Sequence, residues 1–378
     1  MNFVALRMLT GDRSKYFGLV FAIAFCTFLL ENQTSIFANI MRRTASQILD
    51  VTDAEVWVMD PKTEYWDQTK ALKDTDLTRV RSVPGVAWAV RLFKGNPVAK
   101  TLNGKFAVSL LIGLDDATLS GAPRKMLLGS WQRLSEPDSV VLDQAGYVLL
   151  FPGEPLELGR TLEMNDHRVT IVGISDASAP FLSVPVMHTR YSEAVNFLGR
   201  ERTQLSFVIA RPLPGTTPEE LAARIEGATS LRARTTQQFI WDCIRYYLKN
   251  TGIPVNFGIT ILVALVVGTV VAGQTFYLFT VENLKQFGTL KAMGVTNPRL
   301  VGMILLQAAS VAALGFAIGT GMAATFFEIT LRSLATRGIV LMWQSAAVTG
   351  ACILFVAVVA SILSIRRVLV LEPAEVFR

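Results

Sequence analysis

The sequence predicts an α-helical membrane protein with four transmembrane helices in a one-plus-three layout and a large α+β domain inserted between helices one and two. Three observations carry that expectation. Of 378 residues 51% are hydrophobic; only 17% are charged, against ~25% in an average soluble chain; and the apolar residues collect in four long windows. A helix crossing the ~30 Å hydrocarbon layer needs ~20 mostly apolar residues, and these windows are too long for ordinary core helices.

The charge distribution agrees. Residues 42 to 250 hold 25 Lys plus Arg against 24 Asp plus Glu, and the rest of the chain holds 11 against 6, so most of the net +6 sits beside the apolar windows. Basic residues there fit retention on the cytoplasmic side of a membrane. A nucleic-acid binder would gather them on a soluble face instead, so no nucleic-acid partner is expected. Cys26, Cys243 and Cys352 have no disulfide or metal-ligand spacing, and neither His167 nor His188 has a ligand pattern around it.

Residues 1–15 are expected to be a cytoplasmic segment, followed by the first span at 16–41, whose only charge is Glu31. A basic start before an apolar run also describes a signal peptide, but no A-x-A site follows. Ile36, Ile40, Ala45, Ile48 and Leu49 keep a helical period, which predicts a helix continuing outward as a stalk.

Residues 42–250 read as the soluble domain. "DAEVWVMD", "KFAVSLLIGLD", "DSVVLDQ", "HRVTIVGISD" and "QLSFVIARP" are short β-branched and apolar runs bounded by turn residues, as strands are. "DTDLTRVRSVPGV" and "TPEELAARIEG" read as helices, the second with Thr217 as N-cap, Pro218 at the first position and Gly227 as stop. Phe239, Ile240, Ile244, Tyr247 and Leu248 then mark a second stalk leading down to the second span at 254–281.

Residues 282–299 form a charged loop before the third span at 300–327; a short loop at 328–337, the fourth span at 338–365 and a tail at 366–378 complete the chain. Arg7, Arg13, Lys15, Lys285, Lys291, Arg299, Arg366, Arg367 and Arg378 fall on one side, and Arg332 and Arg337 lie in the short opposite loop. That bias places both termini and the 282–299 loop in the cytoplasm.

Within that loop Leu284, Phe287, Leu290 and Met293 recur every three residues, with Lys285 and Lys291 off the row, which predicts an amphipathic helix of about three turns. Gly294 is its expected left-handed stop, and Asn297 and Pro298 the expected N-cap and first residue of the next helix. Such a helix serves either as an interfacial anchor in lipid headgroups or as a docking element for a partner's groove, and periodicity does not separate the two.

"ENLKQFGTLKAMGVTNPRL" resembles the signature of FtsX/MacB-type permeases of ATP-binding-cassette systems, roughly E-R-x-R-E-I-G-I-L-R-A-L-G-A. Glu282, Lys285, Gly288, Leu290, Lys291, Ala292 and Gly294 match it in kind, while Gln286 stands where glutamate is usual and Asn283 where arginine is common. No particular ion pair to an ATPase is therefore carried over. The closing "RRVLVLEPAEVFR" is similar to the family's R-x-x-x-x-x-P-A-E-A-L-R, through Pro373, Ala374, Glu375 and Arg378. "VPGV", "LLIGLDD", "DSVVLDQ", "PLELGRTLEMNDHRVTIVGISD" and "ARPLPGTTPEELAARI" resemble, in order, segments of a MacB-like periplasmic domain, and "TVENLKQFGTLKAMG" is similar to the DevC-like branch.

The resemblance implies that Glu282, Leu284, Lys285, Phe287, Gly288, Leu290, Lys291, Met293 and Gly294 form the ATPase-coupling element. It implies a bacterial inner-membrane permease working by mechanotransmission. Its partners would be an ATPase subunit carrying the ATP and Mg, a second permease copy, a membrane-fusion adaptor, an outer-membrane channel and membrane lipids, with lipid-like or other envelope cargo. A signalling scaffold that activates a cell-wall hydrolase or senses a peptide is the alternative. No cofactor of its own is expected.

The residues agree with that division of labour. No G-x-x-x-x-G-K-[ST] loop is present, nor a G-x-S-x-G elbow or H-E-x-x-H helix, so neither catalytic nor metal residues are expected. Asp115 and Asp116 are adjacent on a strand end, point to opposite faces and read as a turn. Inside the spans the polar residues are Glu31, Gln274 and Gln307. For Glu31, snorkelling to the outer interface, an interhelical bond and substrate contact are all open. Gln274 and Gln307 are expected to bond between helices, at about 0.6 kcal/mol each. Gly315, Gly319 and Ala323, four apart, predict close packing within the bundle or at a dimer seam.

Overall fold

Two elements precede the soluble region, α1 (Asn2–Gly11) and the long α2 (Arg13–Arg43), in a computed structural model that describes residues 2–198, 205–331 and 337–370. The soluble region then runs α3 (Ser46–Asp50), β1 (Val56–Met59), α4 (Asp74–Arg81), β2 (Val86–Gly95), β3 (Val98–Thr101), β4 (Phe106–Val108), β5 (Leu110–Leu114), β6 (Met126–Gly129) and β7 (Ser139–Asp143). It continues through α5 (Gln144–Leu150), β8 (Thr161–Met164), β9 (His167–Ser175), β10 (Val186–Arg190), α6 (Tyr191–Leu198), β11 (Phe207–Pro212), α7 (Pro218–Thr229), β12 (Arg232–Thr235) and α8 (Thr236–Asn250). Last come α9 (Ile253–Glu282), α10 (Leu284–Ala292), α11 (Asn297–Thr330) and α12 (Trp343–Val370). Four of these, α2, α9, α11 and α12, are long and apolar enough to cross a membrane.

The chain divides into two units: Met1–Asn39, Gly252–Arg332 and Ile339–Arg378 form one, and Ile40–Thr251 with Ser333–Gly338 the other. The second unit is built on a mixed sheet in the order β12-β1-β11-β2-β5-β10-β7-β9-β8-β3-β4, with β6 added on β9. Strands alternate sides with period two, and here both sides are covered. Val56 and Val58 of β1 and Val208 and Ala210 of β11 join a core roofed by α4, α6 and α7, through Leu77, Val80, Phe197, Leu221 and Ile225. Trp57, Met59, Phe207 and Ile209 of the same strands join the opposite core, closed by Ile48 of α3 and by Phe239 and Cys243 of α8. Trp66 stacks on Phe207 at 5.1 Å between ring centres and meets Trp57 edge-on at 6.0 Å, so aromatic burial dominates this second core.

Several expectations need correction. The first stalk is not one helix: α2 ends at Arg43, and α3 begins at Ser46 after a break in which Thr44 donates to Met41 O. Ala45 and Ile48 face the core as their spacing predicts, but Leu49 is exposed. Thr217 caps α7 by accepting from Glu220 N, yet Gly227 does not stop the helix; it runs on to Thr229, and Ser230 takes the left-handed turn at φ 58°. Thr229 and Ile225 are buried, and Thr229 Oγ1 donates to Ile225 O, so packing carries the helix past its glycine. Asp115 is a turn carboxylate that accepts from Thr118 N at 3.1 Å, and Asp116 turns away to accept from Ser192 N at 3.0 Å. The closing motif at 373–378 and Arg332 lie outside the described residues.

One buried titratable group predicts a pH dependence. His188 on β10 is enclosed, meets Trp131 edge-on at 5.5 Å, and its Nδ1 has no partner. Burial pushes its pKa down to about 3. Because the unfolded imidazole titrates near ~6.5, the unfolded state binds more protons between these values, and stability is lost as pH falls through that window. From pH 7 to pH 5 the His188 contribution should fall by about 2 kcal/mol. Asp143 and Asp50, whose carboxyls burial pushes up, run in the opposite sense. Comparing unfolding midpoints of the full chain with those of His188→Phe at both pH values isolates the histidine; the variant should lose about 2 kcal/mol less.

Candidate functional site

The loop between α9 and α11 is built by its own backbone chemistry. Asn283 ends α9, its Nδ2 donating to Phe279 O at 2.8 Å, while its carbonyl accepts from Gln286 N and Phe287 N to start α10. Gly294 closes α10 at φ +89°, with open space where a Cβ would stand, and Val295 N donates back to Leu290 O at 3.1 Å. That left-handed closure favours glycine for its missing Cβ. The next helix starts one residue earlier than the sequence suggests. Thr296 is the extended N-cap, and Asn297 is already helical, so Asn297 is not the cap.

The apolar row of α10 turns inward. Phe287 is fully buried, in one cluster with Phe276 and Phe279 of α9, Leu300 and Met303 of α11 and Val368 of α12, and half-buried Leu284 and Leu290 pack against the same cluster. Gly288 is buried beside it. Lys291 Nζ donates to Leu369 O at 3.0 Å, and Glu282 pairs with Lys15 at the start of α2, which also pairs with Asp12 at 2.7 Å. The ion pairs lie in contact with solvent, so they add little to stability. Met293, read as part of the apolar row, is 68% exposed. The face left outward is therefore Lys285, Gln286, Thr289, Ala292 and Met293, one contiguous stripe of the helix.

Sequence reasoning missed α1. It packs on α11 through buried Ala5 and Leu9, and Gln307 Nε2 donates to Ala5 O at 2.8 Å, whereas Phe3, Val4 and Leu6 stay exposed. Its spacing of Ala5 and Leu9, one turn apart, was the available signal. An open cleft of about 500 Å³ separates α1 from the start of α10, lined by Phe3, Arg7, Met8, Asp12, Asn283 and Gln286 among others.

The intramembrane polar residues part company. Glu31 does not snorkel; it is fully buried, Oε1 accepts from Thr320 Oγ1 at 2.8 Å and Oε2 has no partner. Gln307 makes the interhelical bond expected of it, but Gln274 is exposed on α9, with no hydrogen bond to another helix among the described residues. Gly315 and Gly319 are bundle contacts. A Cβ on Gly315 would meet Ile23 Cγ2 at 2.5 Å, and one on Gly319 would meet Ala24 O and Thr27 Cβ at 2.5 Å, so α11 touches α2 backbone to backbone there, with Ala323 buried one turn on.

Known proteins show the same two-part pattern. Residues 17–228 match the MacB-like periplasmic core domain family and residues 258–373 the FtsX-like permease C-terminal family. The chain belongs to the FtsX/MacB-type ABC transporter permeases. An uncharacterized ABC transporter permease of Mycobacterium tuberculosis, found in two strains, is 22% identical over 308 residues, covering 80% of this chain and 78% of that one. Among solved structures, the periplasmic region of MacB from Actinobacillus actinomycetemcomitans is 15% identical, with 54% of this chain and 96% of that chain covered at a TM-score of 0.37. The extracellular domain of the ABC-type transporter YknZ from Gram-positive bacteria is 13% identical, with 48% and 98% covered at 0.36. In this permease the α/β unit between the first and second spans is thus the MacB-like periplasmic core domain.

Proposed function

We propose that this permease is the mechanotransmitting subunit of an exporter in which a separate ATPase, holding the ATP and Mg, drives motion that the membrane helices carry to the periplasmic domain. On this reading the termini and α10 face the cytoplasm, two copies of the chain meet two ATPase subunits, and the periplasmic domains push lipid-like or other envelope cargo toward an adaptor and an outer-membrane channel, as in the DevC-like branch.

The observation that carries the reading is the division of α10 into two faces. Its inner face is anchored by Phe287 among α9, α11 and α12, so a load on the helix passes into the spans, while Lys285, Gln286, Thr289 and Met293 are left for a partner. Lipid anchoring favours the opposite arrangement, with the apolar row in the headgroups and the lysines in water. The cleft beside α1 extends the available surface.

Thr289→Asp with Met293→Asp tests this. Both positions are exposed, so the variant should insert and fold like the parent, yet recovery of the ATPase with the purified chain should fall at least about tenfold, the equivalent of 1.4 kcal/mol. Phe287→Ala, by contrast, should cost about 3–5 kcal/mol of the bundle's own stability. Undiminished recovery with the double Asp variant would contradict the docking face, and ATP hydrolysis by the purified chain alone would contradict the division of labour.

A further inference from the structure

The periplasmic core domain contains a cavity of about 210 Å³ that the docking and packing residues above do not use. Its walls are of two kinds. Arg43, Gln47, Trp66 and Lys94 are buried, whereas Val108 and Leu182 are 52% and 69% exposed and form an apolar rim. Among the described residues, the ionisable lining groups are two cations, Arg43 and Lys94, and one anion, Asp67.

The polar inventory of the buried walls is incomplete. Lys94 Nζ donates to Asp67 Oδ1 at 2.6 Å and to Trp66 O at 3.1 Å, which uses two of its three donors. Arg43 is held in the wall by its Nε, which donates to Pro180 O at 3.1 Å, and its Nη2, which donates to Ser183 Oγ at 2.6 Å. Among the described residues Trp66 Nε1 and Gln47 Oε1 have no partner, although their residues are only 4% and 2% exposed. A buried indole N–H without an acceptor costs about 1–3 kcal/mol, a cost that a cavity ligand reaching Trp66 Nε1 would remove. Trp66 Nε1 and the remaining Lys94 donor call for an acceptor, Gln47 Oε1 calls for a donor, and two cations against one anion among the described lining favour an anionic head that keeps an O–H, as a phosphate monoester does.

Size and rim decide the rest. At ~30 Å³ per water the cavity holds about seven waters, enough for a phosphate or carboxylate with a few atoms attached and too little for a whole lipid. Val108 and Leu182 would then meet whatever leaves the mouth. We propose that this cavity binds an amphiphile head first, its anionic group among Arg43, Lys94 and Trp66 and its apolar tail over Val108 and Leu182. The proposal deepens the export reading and rests on it only in regarding the ligand as cargo.

The test uses the full chain in phosphatidylcholine nanodiscs, with dodecyl phosphate and dodecanol carrying the same photoreactive tail and the labelled residues mapped by mass spectrometry. Dodecyl phosphate should label the 180–184 segment and Val108 about tenfold more than dodecanol does. Leu182→Gln with Val108→Thr, and separately Trp66→Phe, should each reduce that labelling several-fold while ATPase recovery stays unchanged. Equal labelling by dodecanol, no labelling of the rim, or complete displacement by millimolar inorganic phosphate would each overturn the proposal, the last in favour of a free-anion site. Loss of ATPase recovery with labelling intact would count against the transporter reading and leave the cavity assignment standing.

Discussion

Arg337→Met is expected to destabilise the periplasmic core domain by about 3–5 kcal/mol at neutral pH, because it strips the counterion from a fully buried carboxylate. Arg337, in the short connection after α11, pairs with Asp143, which sits at the end of β7 with no exposed surface and also accepts from Val186 N at 2.7 Å. Burial pushes the Asp143 carboxyl above the usual carboxylate range, and the Arg337 guanidinium opposes that rise. A carboxyl whose pKa is raised on folding stabilises the fold below its unfolded value and loses that contribution as pH climbs through the folded value. Without Arg337 the rise is larger, so the deficit of Arg337→Met should be greatest above pH 7 and shrink on acidification toward pH 4. Pairing the change with Asp143→Leu should recover most of the loss, since replacing both partners of a buried pair by apolar groups is often neutral. Thermal unfolding of the full chain reads the effect as roughly 2–4 °C per kcal/mol for a domain of this size. A single variant as stable as the parent at pH 8 would show that the pair carries nothing.

Gly319→Leu should have a comparable effect on the membrane bundle. Its Cβ would lie 2.5 Å from Ala24 O and from Thr27 Cβ, and a backbone oxygen has nowhere to move without shifting α2 itself. Overpacking of ordinary cores costs about 1–3 kcal/mol, and a leucine forced against backbone should exceed that range. Gly321 on the same helix provides the control, because nothing lies within 4 Å of its Cβ position and it is exposed. Gly321→Leu should therefore leave heat-induced aggregation of the purified chain at the parent temperature, whereas Gly319→Leu should lower it by several degrees, with membrane insertion equal in both.

What could be read in advance follows from where the physics leaves one answer. An apolar run without charges, as in α9, has no stable use outside a bilayer, so the spans were legible from length alone. Their rotation was not. A helix apolar all round carries no periodic signal for its inward face, which is why Glu31 proved to face Thr320, and Gln274 the outside. The three-residue row of α10 announced an apolar face but not an owner. Phe287 fits the chain's own core, and only the folded neighbours Phe279 and Leu300 reveal it. The cavity in the core domain was invisible for a related reason: Arg43, Trp66, Lys94 and Leu182 are far apart in sequence and meet only through the fold.

Hydrogen exchange of the permease purified with its ATPase reads whether the proposed motion, entering at α10, emerges in the periplasmic core domain. Adding ATP should change amide protection in α8 and in the 180–184 segment, and the Thr289→Asp, Met293→Asp variant should abolish that change. ATP turnover by the intact complex with protection in those segments unaltered would rule out transmission from α10 to the periplasmic core domain.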